Sequence, residues 1–288
     1  VKIKENENLS IYTTIGIGGP VPFLYLPETE KELIELVQKL NSDKRTFRVI
    51  GNGSNILADD RGLEDDIVCT RSLTRILRID GNLLTADSGY PIPQLAYQSA
   101  TKGLSGLEFA VGIPASIGGI VRMNAGAHGR TISEVVHSVR MISPEGEIVI
   151  LSNQDLHFTY RSSAIPKQGV VTEIHLKLTP DDQQNIHERI RKYNDYRTST
   201  QPLREKSAGC VFKNPSACAA GKLIEDAGLK GFQIGGAAVS EIHGNFIVNR
   251  QSATFQDVLN LIDHIKTTVR HTHGVDLHEE IMIWRRAL

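Results

Sequence analysis

Apolar residues recur at helical spacing in a few stretches of this chain and in short continuous or alternating runs over most of the remainder. From Thr29 to Leu40, the residues Leu33, Ile34, Val37 and Leu40 share one stripe, and Thr29 stands three residues before Glu32 as a capping box does, so a helix is predicted there. A second stripe, Phe255, Val258, Leu259, Ile262, Ile265 and Val269, predicts a helix over 254–271 that Gly274 ends. Two further helices are expected, a charged one from Asn185 to Tyr196 and a short one from Ala219 to Ala227. Phe47–Ile50 reads as a buried strand running into a glycine turn, and the region from Ile67 to Leu178 alternates apolar runs with turn residues, which predicts a strand-rich stretch. Val275–Trp284 alternates like a strand, so the chain is expected to return and pair with an earlier sheet. The polar break from Pro180 to Gln184 marks the start of a new folding unit.

Composition adds constraints on partners. At 288 residues, 40% hydrophobic and 23% charged, the chain is long enough for two or three modest cores. Basic and acidic residues number 32 and 33, so no overall field selects nucleic acid or an anionic membrane, and any anion site must be local. Cys69, Cys210 and Cys218 are an odd set without a CxxC pair, which argues against a disulfide framework and a structural zinc site and suits a reducing compartment. No run approaches the roughly 18 apolar residues of a membrane span, and the first residues lack the order of a signal peptide. A cytoplasmic protein is expected.

Two glycine-dense loops carry the first chemical signal. Gly51, Asn52, Gly53, Ser54 and Asn55 could turn successive backbone N–H groups inward as a nest for phosphate oxygens, or could be a plain turn. The stretch from Gly112 to Gly129 surrounds Ser116, Arg122 and Asn124 with glycine and alanine, which allows a ligand to lie close to the backbone. Neither loop, nor the glycines at 16–19, fits GxGxxG, since Ile56 and Val21 occupy the required positions; a Rossmann fold is disfavoured. Two such loops in one strand-rich domain are what a long, bent dinucleotide needs. The reactive side chains Arg161, Cys210 and Glu280 stand apart in sequence, and each has a duller reading as a surface ion pair, a small buried hydrophobe or a solvated carboxylate. His271 and His273 face different ways near a helix end, and no metal-ligand spacing stands out.

Taken in order, TTIGIGG, VIGNGSNIL, GLEFAVGIPASIGGIVRMNAGAHG, FTYRSS, GCVFKNP, AGKLIEDAGLKGFQIGGAAVSEIHGNFIVN and a terminal L-x-x-E-I resemble the UDP-N-acetylenolpyruvoylglucosamine reductase family over nearly the whole chain. The resemblance implies an α+β protein with an FAD-binding fold of the vanillyl-alcohol oxidase (PCMH) type. It would have two subdomains, residues 1–66 and 67–180, a smaller α+β substrate-binding domain over 181–274, and a C-terminal strand, 275–288, returning to the active site. It further implies non-covalent FAD, NADPH as hydride donor, and UDP-N-acetylenolpyruvoylglucosamine as the substrate reduced to UDP-N-acetylmuramate, the two taking turns at one site. Cofactor contacts then fall on Gly51, Asn52, Gly53, Ser54 and Asn55, on Gly112, Ile113, Pro114, Ser116, Ile117, Gly118 and Gly119, and on Asn124, Ala125, Gly126 and Ala127.

The same resemblance gives roles to the separated side chains. Arg161 aligns with an arginine that meets charge developing on the substrate carboxylate, Glu280 with a carboxyl group that assists it, and Cys210 with the proton donor. The commoner residue at the last position is serine; a thiol, with an ordinary pKa near ~8.5, surrenders its proton far more readily than an alkyl hydroxyl and can serve in its place. Strand alternation sets Glu279 on one face with Leu277 and Ile281, and Glu280 on the other with His278 and Met282; the motif favours Glu280. Met282 stands where the family often has arginine. Lys222, His243, Asn245 and Asn249 correspond to positions near the UDP group, and the short stretch between Arg161 and Cys210 resembles the type II form, which lacks a substrate-covering loop. An oxidase of the same fold and a non-catalytic nucleotide-binding protein are the rival readings.

Overall fold

In the computed structural model, which describes residues 1–216 and 218–287, the stripe after Thr29 folds as α1 (Glu30–Ser42). Ala217, inside the expected substrate domain, and Leu288, the last residue of the expected C-terminal segment, lie outside the described residues. The Thr29 hydroxyl accepts from the Glu32 N–H at 3.2 Å, and the Glu32 carboxylate reaches back to the Glu28 N–H at 2.8 Å. Both bonds satisfy donors that a helix start would otherwise leave open.

Two units divide the chain. The first comprises residues 1–5, 23–52 and 65–196, the second 6–22, 53–64 and 197–288. In unit 1, Asp66–Cys69 lies between Phe47–Ile50 and Pro20–Leu26, all parallel, with Lys2–Asn8 at the outer edge. Leu33, Leu36, Val37 and Leu40 of α1 pack there with Tyr25, Phe47 and Val68, so the predicted stripe is the buried face. A second, antiparallel sheet runs in the order Ile148–Ser152, Val136–Ile142, Val170–Lys177, Leu83–Asp87, Leu77–Asp80. Its inner residues join α2 (Ile92–Ala100) and α3 (Ile117–Arg122) in the larger core, with Ile117, Ile120 and Val121 fully buried. The charged helix expected from Asn185 is α4 (Gln183–Thr200).

Unit 2 is built on an antiparallel sheet, Ser207–Cys210, Phe246–Asn249, Ala237–Val239 and Gln233–Ile234, with α5 (Ala220–Asp226) and α6 (Phe255–His273) closing its core. Thr254 and Asp257 form a full capping box at the start of α6, and Gly274, at φ 68°, is the left-handed residue that ends it. The terminal strand is shorter than its alternation predicts: Met282–Trp284 pairs, in parallel, with Ile56–Ala58, and ahead of it Glu279 makes a single antiparallel bridge to Phe212. Upstream of it, main-chain bonds from Lys213 and Glu280 to His278 and Val211 hold the segment irregularly, so alternation of polarity here did not require a continuous ladder. Among the described residues no helix is long and apolar enough to cross a membrane.

Candidate active site

The boundary between the units falls inside the first glycine loop, after Asn52. On the unit 1 side, a Cβ placed on Gly51 would stand 2.3 Å from the Ser116 hydroxyl, so the two glycine-dense loops meet there and only glycine allows it. The Asn52 side chain points its amide at the Pro114 carbonyl, 3.5 Å away, and Arg71 bonds the Asn52 carbonyl at 3.3 Å. On the unit 2 side, Gly53 has φ +63° and its Cβ position lies 2.0 Å from the Tyr12 carbonyl. Ser54 follows, and Asn55 connects to the C-terminal segment as described below.

The second loop is held by backbone bonds. Ile113 N–H bonds Ala110, Ala115 N–H bonds Ile113, Ile117 N–H bonds Tyr90 and Gly118 N–H bonds Ser88. Gly118 presses on Ser88, whose Cβ would be 2.8 Å from an added methyl, whereas Gly119 meets nothing nearer than Ser116 Oγ at 3.6 Å. Asn124, at φ 42° and almost fully buried, spends its side chain on the Thr159 carbonyl (2.9 Å) and the Ser133 N–H (3.3 Å). After it, Ala125 N–H bonds Ile120, and Gly126–Ala127 pairs with Arg130–Thr131.

This scaffold brings Arg161 to the same loop. Thr159 and Ser162 exchange main-chain bonds at 3.1 and 3.2 Å, and Arg161 sits in their turn at φ +57°, a conformation that non-glycine residues seldom adopt. Its guanidinium donates to the Gly126 carbonyl at 3.3 Å and lies over the Tyr160 ring. An arginine reaching across a glycine-rich loop is well placed to present positive charge beside whatever the loop holds.

Unit 2 gathers the other group. Between Ser207↔Val248 and Cys210↔Phe246 the strand carries one extra residue, and Gly209 at φ +77° absorbs it as a bulge immediately before Cys210. The next residues, Val211 and Phe212, are clamped from two directions. Asn245, 3% exposed, accepts from the Phe212 N–H at 2.9 Å and donates to the Phe212 carbonyl at 2.8 Å, and its own carbonyl takes the Val211 N–H. Glu280 donates its N–H to the Val211 carbonyl at 2.7 Å, and the Asn55 side chain donates to the Glu280 carbonyl at 3.2 Å. Val211, next to Cys210, is therefore tied to Asn245 and Glu280 by main-chain bonds, and Glu280 to the Asn55 side chain, although these residues are far apart in sequence. Glu279 turns to α6, where Lys266 pairs with it at 2.8 Å; against the upward push of burial, this ammonium holds its carboxyl below the usual range. Met282 is exposed beyond them.

The remaining residues expected near the UDP group differ in their commitments. Lys222 is exposed and ion-paired with Asp226 one turn along α5. His243 Nδ1 accepts from the Asn245 N–H at 3.2 Å and the ring packs edge-on against Phe246; burial, with help from Lys230, lowers its pKa, so the imidazole is neutral at neutral pH. Asn249 bonds the Ile15 carbonyl and the Ala253 N–H. Two residues escaped the sequence reading. Ser88 Oγ is buried without a partner beside Gly118, and Arg197 is buried where the stripe of α4 should have been apolar, a signal its spacing from Ile186 and Ile190 did contain.

Residues 21–152 match the family model described as an FAD binding domain. Residues 201–284 match the C-terminal domain of UDP-N-acetylenolpyruvoylglucosamine reductase. The glycine loops of unit 1 fit such a group: Gly119 leaves its backbone open to close approach, and the buried Ser88 hydroxyl is an unspent hydrogen-bonding group beside the same loop. Fold and loops together define an α+β flavoprotein, an FAD-dependent oxidoreductase. The UDP-N-acetylenolpyruvoylglucosamine reductase of Bacillus velezensis is 44% identical over 98% of this chain and 94% of its own length, and that of Bacillus subtilis is 42% identical with the same shares. The crystal structure of the reductase from Thermus caldophilus superposes with a TM-score of 0.84 at 35% identity, covering 99% of this chain and 98% of that one. The chain belongs to the UDP-N-acetylenolpyruvoylglucosamine reductase family, whose chemistry serves peptidoglycan synthesis.

Proposed function

We propose that the chain reduces UDP-N-acetylenolpyruvoylglucosamine to UDP-N-acetylmuramate in the cytoplasm, with NADPH as the source of reducing equivalents and Cys210 as the proton donor. Bound FAD supplies hydride chemistry at the enolpyruvyl methylene carbon. Gly51–Asn55, Gly112–Pro114, Ser116–Gly119 and Asn124–Ala127 would hold that cofactor, the glycines by letting it approach the backbone. Arg161 presents its guanidinium to the substrate carboxylate, on which negative charge grows as the methylene carbon is reduced, and Glu280 helps to orient the same group. Cys210 then gives its proton to the carbon that bears the ether oxygen. Lys222, His243 and Asn249 lie in the part of the chain, 201–284, that would receive the UDP group, whereas Asn245, buried and spent on Phe212, would only shape the backbone there.

The observation that carries this reading is the bulge at Gly209. It is the kind of local device that re-aims one side chain from a strand, and it directly precedes the thiol while Val211, directly after it, binds Glu280. With a single dinucleotide apparatus, NADPH and the sugar nucleotide take turns, and parallel double-reciprocal lines are expected; intersecting lines would count against a shared site. The decisive experiment is anaerobic: NADPH should bleach the flavin of both wild type and Cys210→Ala, and the sugar nucleotide should restore the colour only in wild type. The loss in that second half-reaction is expected to be about 10²–10⁴-fold. Full restoration of colour by the alanine variant would remove Cys210 from the mechanism.

A further inference from the structure

Arg122, surrounded by glycine and alanine in the second loop, has no part in the chemistry described above. It ends α3 and is half-buried. Among the described residues burial is the one influence on its pKa, which it lowers, and no carboxylate acts on the guanidinium. Its donors go instead to main-chain oxygens: Nη1 bonds the Pro166 carbonyl at 3.0 Å, and Nη2 bonds the Gly169 carbonyl. Those carbonyls are the two ends of one turn, closed by the Gly169 N–H on the Pro166 carbonyl at 2.9 Å. The planar fork of arginine suits two acceptors so placed, whereas a lysine would offer a point charge to one of them. A charge drawn out of water without a counter-ion is costly, so packing alone does not account for an arginine here.

What the fork grips is the segment that carries Arg161. Ahead of Arg161, the Asn124 side chain donates to the Thr159 carbonyl at 2.9 Å. Behind it, the Ser163 hydroxyl donates to the Arg122 carbonyl at 2.8 Å, and the Arg122 side chain then holds the turn at 166–169. Arg122 thus fixes the far side of the segment with both its main chain and its side chain. Arg161 lies between these ties at φ +57°, a conformation that persists only where the surroundings enforce it, and its guanidinium reaches the Gly126 carbonyl at 3.3 Å.

We infer that Arg122 is a positioning residue for Arg161: its fork on the turn at 166–169, with the Ser163 bond to its carbonyl, holds the segment against the second glycine loop and keeps the Arg161 guanidinium aimed at the substrate carboxylate. This rests on the reading of Arg161 as the partner of that carboxylate. Arg122 acts through the segment and not on the reacting atoms, so its loss misplaces a charge without removing one from the site.

The test uses the FAD-loaded enzyme and two readouts. Limited trypsin digestion with peptide mass spectrometry follows cleavage after Arg161 and Lys167, which in Arg122→Gln should be about tenfold faster or more, because two hydrogen bonds from a charged donor are lost. Substrate-driven reoxidation of NADPH-reduced flavin should slow about tenfold or more in the same variant, with flavin content and NADPH bleaching unchanged. A double-mutant cycle separates positioning from general damage: on an Arg161→Gln background, Arg122→Gln should slow reoxidation by less than about twofold further. Arg122→Lys should fall between wild type and Arg122→Gln in both readouts, and it takes the place of Arg122→Gln in the cycle if that variant loses FAD. Unchanged reoxidation in the Arg122 variant, or slowings that multiply in the double variant, overturns the positioning role and leaves Arg161 untouched. Full reoxidation by Arg161→Gln alone overturns the reading of Arg161 instead, and this inference with it.

Discussion

In unit 1 the loop from Gly112 to Ala127 takes its shape from the Cβ atoms it lacks, whereas in unit 2 the backbone after Cys210 is held by hydrogen bonds, among them both side-chain groups of Asn245. At Gly51 and Gly118 an added methyl would meet the Ser116 hydroxyl and the Ser88 side chain, and at Gly126 it would meet the Arg130 carbonyl at 2.1 Å. These glycines are first of all protein-packing residues; at Gly119 an added methyl would meet only Ser116 Oγ, at 3.6 Å, so packing alone does not require glycine there. Around Cys210 the backbone is ordered by the paired bonds of a buried amide to both polar groups of Phe212. A cradle built from backbone tolerates little added volume, and a clamp built from a side chain tolerates no loss of its two hydrogen-bonding groups. The difference says which substitutions damage the fold and which damage only what the fold holds.

The largest effect should come from cutting the clamp. Asn245→Ala leaves the Phe212 N–H and carbonyl buried and unsatisfied, and is expected to cost about 2–5 kcal/mol in urea unfolding; a loss under 1 kcal/mol would mean that water replaces the amide and that the contrast between the regions is false. Next, the adjacent glycines can be set against each other. Gly118→Ala should destabilise the protein by about 1–3 kcal/mol through overpacking on Ser88, while Gly119→Ala should leave the unfolding midpoint unchanged or raised, because alanine favours helix, and should weaken FAD binding. Equal effects of both on stability would erase the distinction drawn between packing and ligand-facing glycines.

A smaller effect is expected from His243. Its Nδ1 accepts a hydrogen bond, and its folded pKa lies below the ordinary histidine value, so the unfolded chain binds the proton first. Stability should therefore be full above the ordinary histidine range and fall as pH drops from there towards the lowered folded value; His243→Gln should flatten that part of the curve. Asp59 adds a second, more acidic window. Its bonds to the Arg61 side chain hold it at about 2, so its contribution is complete above the ordinary aspartate range and is lost as pH falls through about 2. Smallest of all, Lys222→Ala should change stability by less than about 0.5 kcal/mol, since its ion pair with Asp226 is exposed. If the ammonium also meets the UDP group, the same variant raises KM while kcat stays constant.

Much of the local architecture is legible in the chain. The stripe after Thr29 and the one after Thr254 specify two helices to within a few residues, because periodic burial and capping are local properties. The glycine loops announce themselves by composition, and the order of the motifs identifies the family. Less could be read where a residue's meaning depends on a distant neighbour. Alternation left Glu279 and Glu280 on opposite faces without saying which was committed elsewhere; Lys266, on another helix, takes Glu279. Arg197 lay just beyond the charged helix expected to end at Tyr196; the helix runs on to Thr200, and Arg197 is buried in it like Ile186 and Ile190.

Sequence alone therefore determined the elements, the two glycine-dense loops and the unusual cysteine at 210, all of which follow from residue type and short-range spacing. Tertiary structure decided that Arg161 reaches back to Gly126, that Asn245 is spent on Phe212, and that Arg197 is buried. The reason is physical: hydrogen-bond pairing and desolvation are set by which segments meet, and segments separated by tens of residues meet only once the chain has folded.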